Sequence, residues 1–202
     1  MIARLEGTLF EKTPTRIVVD VSGVGYELSV PLSTFATLPD EGKTVSLWVH
    51  THVREDAFLL YGFATTRERD VFHLLLRANR VGPRLAQTIL SGIDPAALCD
   101  ALGRGDVKVL RGVPGIGPKM AERMVVELRD AASELAGALG SAGPSEGRPV
   151  RPDPAEEALS ALLNLGYPRS KAERTIEAAI GETGEDASIE QVIRAALRSL
   201  SA

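Results

Sequence analysis

"GVPGIGPKMAERMVVEL", residues 112–128, decides how this chain is read. A glycine-rich turn runs straight into a helix that begins Pro118-Lys119. A helix start leaves backbone N–H groups without partners, and its dipole favours negative charge. Glycine allows positive φ and lets a ligand come close to the backbone. Proline in the first helical position gives up a donor the helix does not use. Lys119 and Arg123, four residues apart, share one helix face. The stretch therefore offers a seat for an anion, most simply a phosphate. Yet the whole chain carries a formal net charge of −4.

The same pattern occurs once before. "RVGPRLAQTIL" (80–90) aligns with "GIGPKMAERMV" (115–125) at a constant offset of 35 residues. Gly82 matches Gly117, Pro83 matches Pro118, Arg84 matches Lys119 and Ala86 matches Ala121. Each copy follows an apolar helix-like segment, so the unit is helix, tight hairpin, helix. A lone GxG turn is weak evidence, but two copies with a cation at the same place are specific. The G-x-x-x-x-G-K-[ST] spacing of a nucleotide-hydrolysing loop is absent, since Met120 follows the lysine. Two phosphate seats related by a repeat suit a duplex, one per strand. Nothing in either hairpin is equipped to read bases, so binding is expected to be independent of sequence. The pattern resembles the tandem helix-hairpin-helix module of DNA-repair proteins.

Outside this region the periodicity changes. Residues 1–63 read as five strands: "IARLEGTLF" (2–10), "RIVVDV" (16–21), "GYELSV" (25–30), "VSLWVH" (45–50) and "AFLLYGF" (57–63). Five short antiparallel strands suit a small closed barrel, an OB-fold first and an SH3-like barrel second. Residues 64–142 have helical spacing, with Phe72, Leu75 and Leu76 on one face and Met120, Ala121, Met124, Val125 and Leu128 on another. Residues 137–154, with four Gly, four Pro and no apolar period, read as a linker. Its flexible part is placed at 143–152. Residues 153–202 read as three short helices. Asp153-Pro154 and Ser188 with Gln191 mark two of the starts, and "NLGYPRS" (164–170) forms a turn. The fold class is thus α+β and multidomain: barrel 1–63, helical repeat 64–142, linker, helical bundle 153–202.

Charge is distributed by segment. Residues 1–63 carry 5 basic and 8 acidic side chains, residues 64–142 carry 11 and 9, and residues 143–202 carry 7 and 10. Only the repeat is net positive, so each chain neutralises few phosphates and tight binding needs several copies. The barrel contributes a different feature. Arg54, Glu55 and Asp56 fall at the tip of a strand hairpin. As a solvated turn they need no explanation. Beside a duplex-binding module, carboxylates repel phosphates and can reject the wrong substrate.

Other residues point to plainer roles. Cys99, the one cysteine, excludes an internal disulfide and reads as a small buried hydrophobe. His50 and His52 share a strand face. A metal needs a further ligand, and His73 lies in another segment, so no metal and no cofactor are expected. Trp48 and Tyr61 read as core or interface residues. The N-terminus lacks a signal-peptide pattern and no stretch is long enough for a membrane span, which points to a soluble cytoplasmic protein.

Together "MIARLEGTLFEK", "GVGYEL", "VREDAFLLYGF", "RVGPRLAQTIL", "VPGIGPKMAERMVVELRD" and "ALSALLNLGYPRSKAE" resemble the RuvA family of bacterial Holliday-junction recognition subunits. The resemblance covers residues 1–142 and resumes at 154–202. It implies an OB-fold domain, a tandem helix-hairpin-helix domain and a mobile three-helix, UBA-like domain. It also implies tetramers, or octamers on DNA, that grip the arms of a four-way junction. Asn79, Val81, Gly82 and Arg84 would serve one phosphate seat, and Gly115, Gly117, Lys119 and Arg123 the other. Glu55 and Asp56, with Arg54, would form an acidic pin at the crossover. Residues 153–202, with Leu165, Gly166 and Tyr167 in a turn, would contact a hexameric ATPase of the RuvB type. A RuvC-type junction resolvase is a further implied partner. The subunit itself would not be catalytic. One departure stands out: the family's first hairpin reads Gly-Val-Gly, whereas this chain has Arg80-Val81-Gly82. If position 80 takes positive φ, arginine is strained there. Otherwise its cation adds a phosphate contact.

Two other classes compete. A helix-hairpin-helix glycosylase needs a catalytic aspartate after the hairpin, but the acids there are Glu122, Glu127 and Asp130, on or near the same helix. A scaffold for a nuclease or polymerase is the third reading.

Overall fold

The computed structural model describes residues 1–141, 154–164, 166–184 and 187–201. The chain divides into two units, Met1–Gly143 and Pro144–Ala202.

The first unit begins with five strands: β1 (Arg4–Thr13), β2 (Arg16–Val21), β3 (Val24–Ser29), β4 (Thr44–Val53) and β5 (Phe58–Phe63). They close in the order β1-β2-β3-β5-β4, with β1 also paired to β4. β3 meets β5 in parallel at Ser29 and Tyr61, and the other pairings are antiparallel. This Greek-key closure is that of an OB-fold and decides against the SH3-like alternative. Alternating residues fill the barrel: Leu5, Leu9, Ile17, Val19, Leu28, Val45, Leu47 and Val49 are buried. The β2–β3 hairpin turns on Ser22 and Gly23, both at positive φ, which matches the strand twist. At Gly7 any Cβ would collide with the Asp20 carbonyl oxygen, so β1 and β2 come together only because no side chain is there.

A short helix, α1 (Leu32–Thr37), lies between β3 and β4. At six residues it is too short for a helical period to betray it, and the pattern of the sequence gives no sign of it.

Five helices follow: α2 (Thr66–Leu76), α3 (Pro83–Gly92), α4 (Pro95–Arg104), α5 (Val107–Arg111) and α6 (Pro118–Ser141). Thr65 caps α2 by accepting from the Glu68 N–H, and Asp94 caps α4 through Ala96 and Ala97. α6 continues through Ser141, so residues 137–141, assigned to the linker on composition, are helical. The expected flexible segment 143–152 lies outside the described residues.

Barrel and helices share a core. Tyr61 and Phe63 of β5 join Phe72, Leu75, Ile89, Leu98, Leu102 and Leu128 in one buried cluster, and the Phe63 and Phe72 rings lie 4.8 Å apart. Cys99 sits in that cluster, and burial pushes its thiol up to about 11. Trp48 packs against its edge, with the Arg69 guanidinium 4.9 Å from the ring centre. The buried Glu68 carboxylate accepts from Ser33 Oγ (2.7 Å), Thr34 Oγ1 (2.8 Å) and the Ala64 N–H (3.0 Å). It ties α1 and the end of β5 to α2. Such a charge is tolerated in the interior because its oxygens are satisfied.

The second unit holds α7 (Pro154–Asn164), α8 (Arg169–Thr183) and α9 (Ile189–Ser201). They pack around Ala158, Leu162, Ala172, Ile176, Val192 and Ala196. Ser188 and Gln191 form the predicted reciprocal cap: Gln191 Oε1 accepts from the Ser188 N–H at 2.9 Å, and Ser188 Oγ from the Gln191 N–H at 3.4 Å.

Candidate nucleic-acid interface

Both hairpins close with the same turn. The Val81 N–H donates to Ala78 O (3.2 Å), and the Ile116 N–H to Val113 O (3.1 Å). In each turn only the third position has positive φ: Arg80 at 67° and Gly115 at 91°. That is type II behaviour, which favours proline second and glycine third. The second hairpin has both, as Pro114-Gly115, whereas the first has Asn79-Arg80. Position 80 therefore takes positive φ and carries the strain, and this does not remove its guanidinium from the concavity between the hairpins. An L-residue in the left-handed region costs about 1–2 kcal/mol.

Two glycines open the helix starts. Gly82 stands at the N-cap of α3 with φ −91°, and no side chain caps it. Gly117 precedes Pro118 of α6 in the same register; Ala86 N–H donates to Gly82 O and Ala121 N–H to Gly117 O, each at 3.0 Å. Neither glycine is required by backbone conformation, and a Cβ at either would meet nothing within 4 Å. The space above these helix starts is open to a ligand.

The two hairpins converge. Asn79 and Arg80 from the first, with Gly117, Lys119 and Arg123 from the second, line one concavity of about 560 Å³. Arg84 is exposed early in α3 and does not line it. Val81 is buried and its N–H is used in the turn, so it shapes the hairpin from beneath. Gly115 is exposed at the crest of the second turn. One contributor was weighed from the sequence only as an acid following the second hairpin, not as a partner of the first. Glu127 of α6 accepts the Asn79 N–H at 2.7 Å, joining the first hairpin to the helix of the second. Forty-eight residues separate the two, and no local pattern announces the contact.

Arg54, Glu55 and Asp56 occupy the β4–β5 tip, and all are exposed. The Arg54 N–H donates to Ala57 O at 2.8 Å, leaving Glu55 and Asp56 as the two tip residues. Arg54 Nε lies 3.6 Å from Asp56 Oδ1. In the second unit Gly166 takes φ 89°, and Tyr167 packs against the small core. Leu165 lies outside the described residues.

His73, which the sequence leaves unconnected, meets His50: their Nε2 and Nδ1 atoms are 3.1 Å apart. Burial, then the neighbouring His73 and His52, lowers the His50 pKa to about 4, and burial lowers that of His73. Among the described residues no group of three or more His, Cys, Asp or Glu could hold a metal ion. Among them, too, no helix is long and apolar enough to cross a membrane.

Fold and site together define a class: a tandem helix-hairpin-helix protein carried on an OB barrel. Comparison with known proteins narrows it. Residues 1–62 match the RuvA N-terminal domain, 72–130 the SAM-like helix-hairpin-helix tandem and 153–201 the RuvA C-terminal domain. Proteins named Holliday junction branch migration complex subunit RuvA from Pelobacter propionicus and Syntrophotalea carbinolica are 49% and 48% identical, over 99% of both chains. One from Thioalkalivibrio sulfidiphilus is 45% identical over 98% of both. The chain belongs to the RuvA family.

Proposed function

We propose that this chain binds four-way DNA junctions through their phosphate backbones, without reading sequence, as a subunit of a branch-migration complex. The observation that carries the reading is the convergence of two hairpins, related by an internal repeat and each leading into a glycine-opened helix start, on one concavity lined by Asn79 and Arg80 of the first and Lys119 and Arg123 of the second. The names of the relatives support it and favour it over a glycosylase or a nuclease scaffold. Asn79, Gly82 and Arg84 serve one seat, and Gly115, Gly117, Lys119 and Arg123 the other. Glu55 and Asp56 sit at the crossover and turn away continuous duplex.

Division of labour follows the segments. Residues 1–63 assemble the subunits into tetramers, or octamers on DNA, and 64–142 grip the arms. Residues 143–152 link these to 153–202, where Leu165, Gly166 and Tyr167 engage a hexameric RuvB-type ATPase. Hydrolysis belongs to that partner and this subunit contributes no catalysis. A RuvC-type resolvase acts on the same junction. The setting is the bacterial cytoplasm.

Binding of labelled four-way junction and linear duplex over a salt series tests the reading. Lys119→Ala is expected to weaken junctions of every sequence alike and to reduce the salt slope by about one unit for each phosphate no longer neutralised. A weakening that depends on base sequence, or equal affinity of the parent protein for duplex and junction, would overturn it.

A further inference from the structure

The two hairpins solve one conformational problem in different ways. In the second, Pro114 sets the φ of the turn's second residue and carries no N–H, and Gly115 takes positive φ without penalty. In the first, the matching pair is Asn79-Arg80. Asn79 is freer than proline and has an N–H to satisfy, and Arg80 sits at φ 67°. The Glu127 carboxylate from α6 accepts that N–H at 2.7 Å and shares with Arg77 and Arg80 the concavity behind the hairpin.

We propose that Glu127 is a positioning residue that holds the first hairpin against the second. It supplies through space the restraint that Pro114-Gly115 builds into the chain. The proposal rests on the backbone-binding reading and adds a residue to it. The sign of the effect separates it from simple electrostatics. Glu127 is exposed on the helix that starts at the second seat. By charge alone its removal should tighten DNA binding. As a clamp on the hairpin, its removal loosens one of two seats that must be in register, and binding weakens.

The test uses the full chain and a labelled synthetic four-way junction. Glu127→Ala is expected to lose about tenfold in affinity, on the scale of one charge-assisted hydrogen bond, and Glu127→Gln, which keeps an acceptor, about twofold or less. In an Asn79→Pro background there is no N–H to hold, so adding Glu127→Ala should change affinity by less than about twofold. In the DNA-free protein, amide exchange at Asn79 should speed up in Glu127→Ala and stay slow in Glu127→Gln. Unchanged or tighter binding by Glu127→Ala, or an undiminished loss in the Asn79→Pro background, overturns the proposal. So does unaltered exchange at Asn79. The exchange measurement needs no DNA, so it separates failure here from failure of the backbone reading, which Lys119→Ala tests.

Discussion

Arg80 and Gly115 stand at the same position of two turns 35 residues apart, and both adopt positive φ, 67° and 91°. Only one of them is a residue suited to it. The first hairpin therefore carries backbone strain that the second lacks. In exchange it places a cation beside Lys119 and Arg123 in the shared concavity.

Arg80→Gly should relieve the left-handed penalty of about 1–2 kcal/mol, offset by glycine's entropy of roughly 0.5–1 kcal/mol. The expected net is a gain of about 0.5–1 kcal/mol, or about 1–4 °C in Tm for a chain of this size. Junction affinity should fall at the same time, because a cation leaves the seat. Calorimetry and a salt titration read the two effects separately. Gly115→Ala should lose about 1 kcal/mol or more. A lower Tm for Arg80→Gly would contradict the strain.

Gly82→Ala and Gly117→Ala separate folding from binding. A Cβ at either position meets no protein atom within 4 Å, and neither φ is positive. Stability should stay within about 1 kcal/mol, because the gain through the unfolded chain is opposed by alanine's poorer fit at a helix N-cap. Junction affinity should fall on the order of tenfold, as a methyl group keeps phosphate from the helix-start N–H groups. If both variants bind as the parent does, phosphate does not sit there.

Removing the charges at the barrel tip should relax selectivity. Glu55→Gln with Asp56→Asn keeps size and hydrogen bonding but ends repulsion of phosphate. Linear duplex is expected to bind more tightly, narrowing the gap to the junction. The tip is exposed and makes no core contact, so Tm should stay within about 2 °C. Unchanged discrimination between the two DNA shapes would remove the tip from the crossover.

The His50–His73 contact predicts acid sensitivity. Folding lowers both pKa values from 6.5, that of His50 to about 4. Between these limits the unfolded chain binds more protons than the folded one. Stability contributed by the neutral pair is therefore complete above pH 6.5 and lost as pH falls toward 4. Tm measured across that range should decline, and His50→Gln should flatten part of the slope. An equal slope in the variant would assign the acid response to other groups.

Much of this was legible locally. "RIVVDV" (16–21) is β2 to the residue, and the Ser188–Gln191 cap is formed as its spacing predicts. The repeat exposed both hairpins because turn chemistry is written in adjacent residues. Residues 112–128 form the turn and the first half of α6. Composition misled at residues 137–141, where two glycines suggested a linker but the helix continues.

Other features had no local signature. The OB closure depends on a single parallel pairing of Ser29 with Tyr61, and alternation in either strand is silent about its neighbour. Glu68 under α1, His73 beside His50 and Glu127 beneath Asn79 each join residues 23 to 48 positions apart. Periodicity, caps and turns report how a chain bends over a few residues, because those energies are set by neighbouring dihedral angles and side chains. Which distant groups meet is set by barrel closure and helix packing. Those bring a carboxylate to an unpaired N–H only after the whole core has formed. The two hairpins were therefore readable from the chain, while the contact of Glu127 with Asn79 that joins them required the fold.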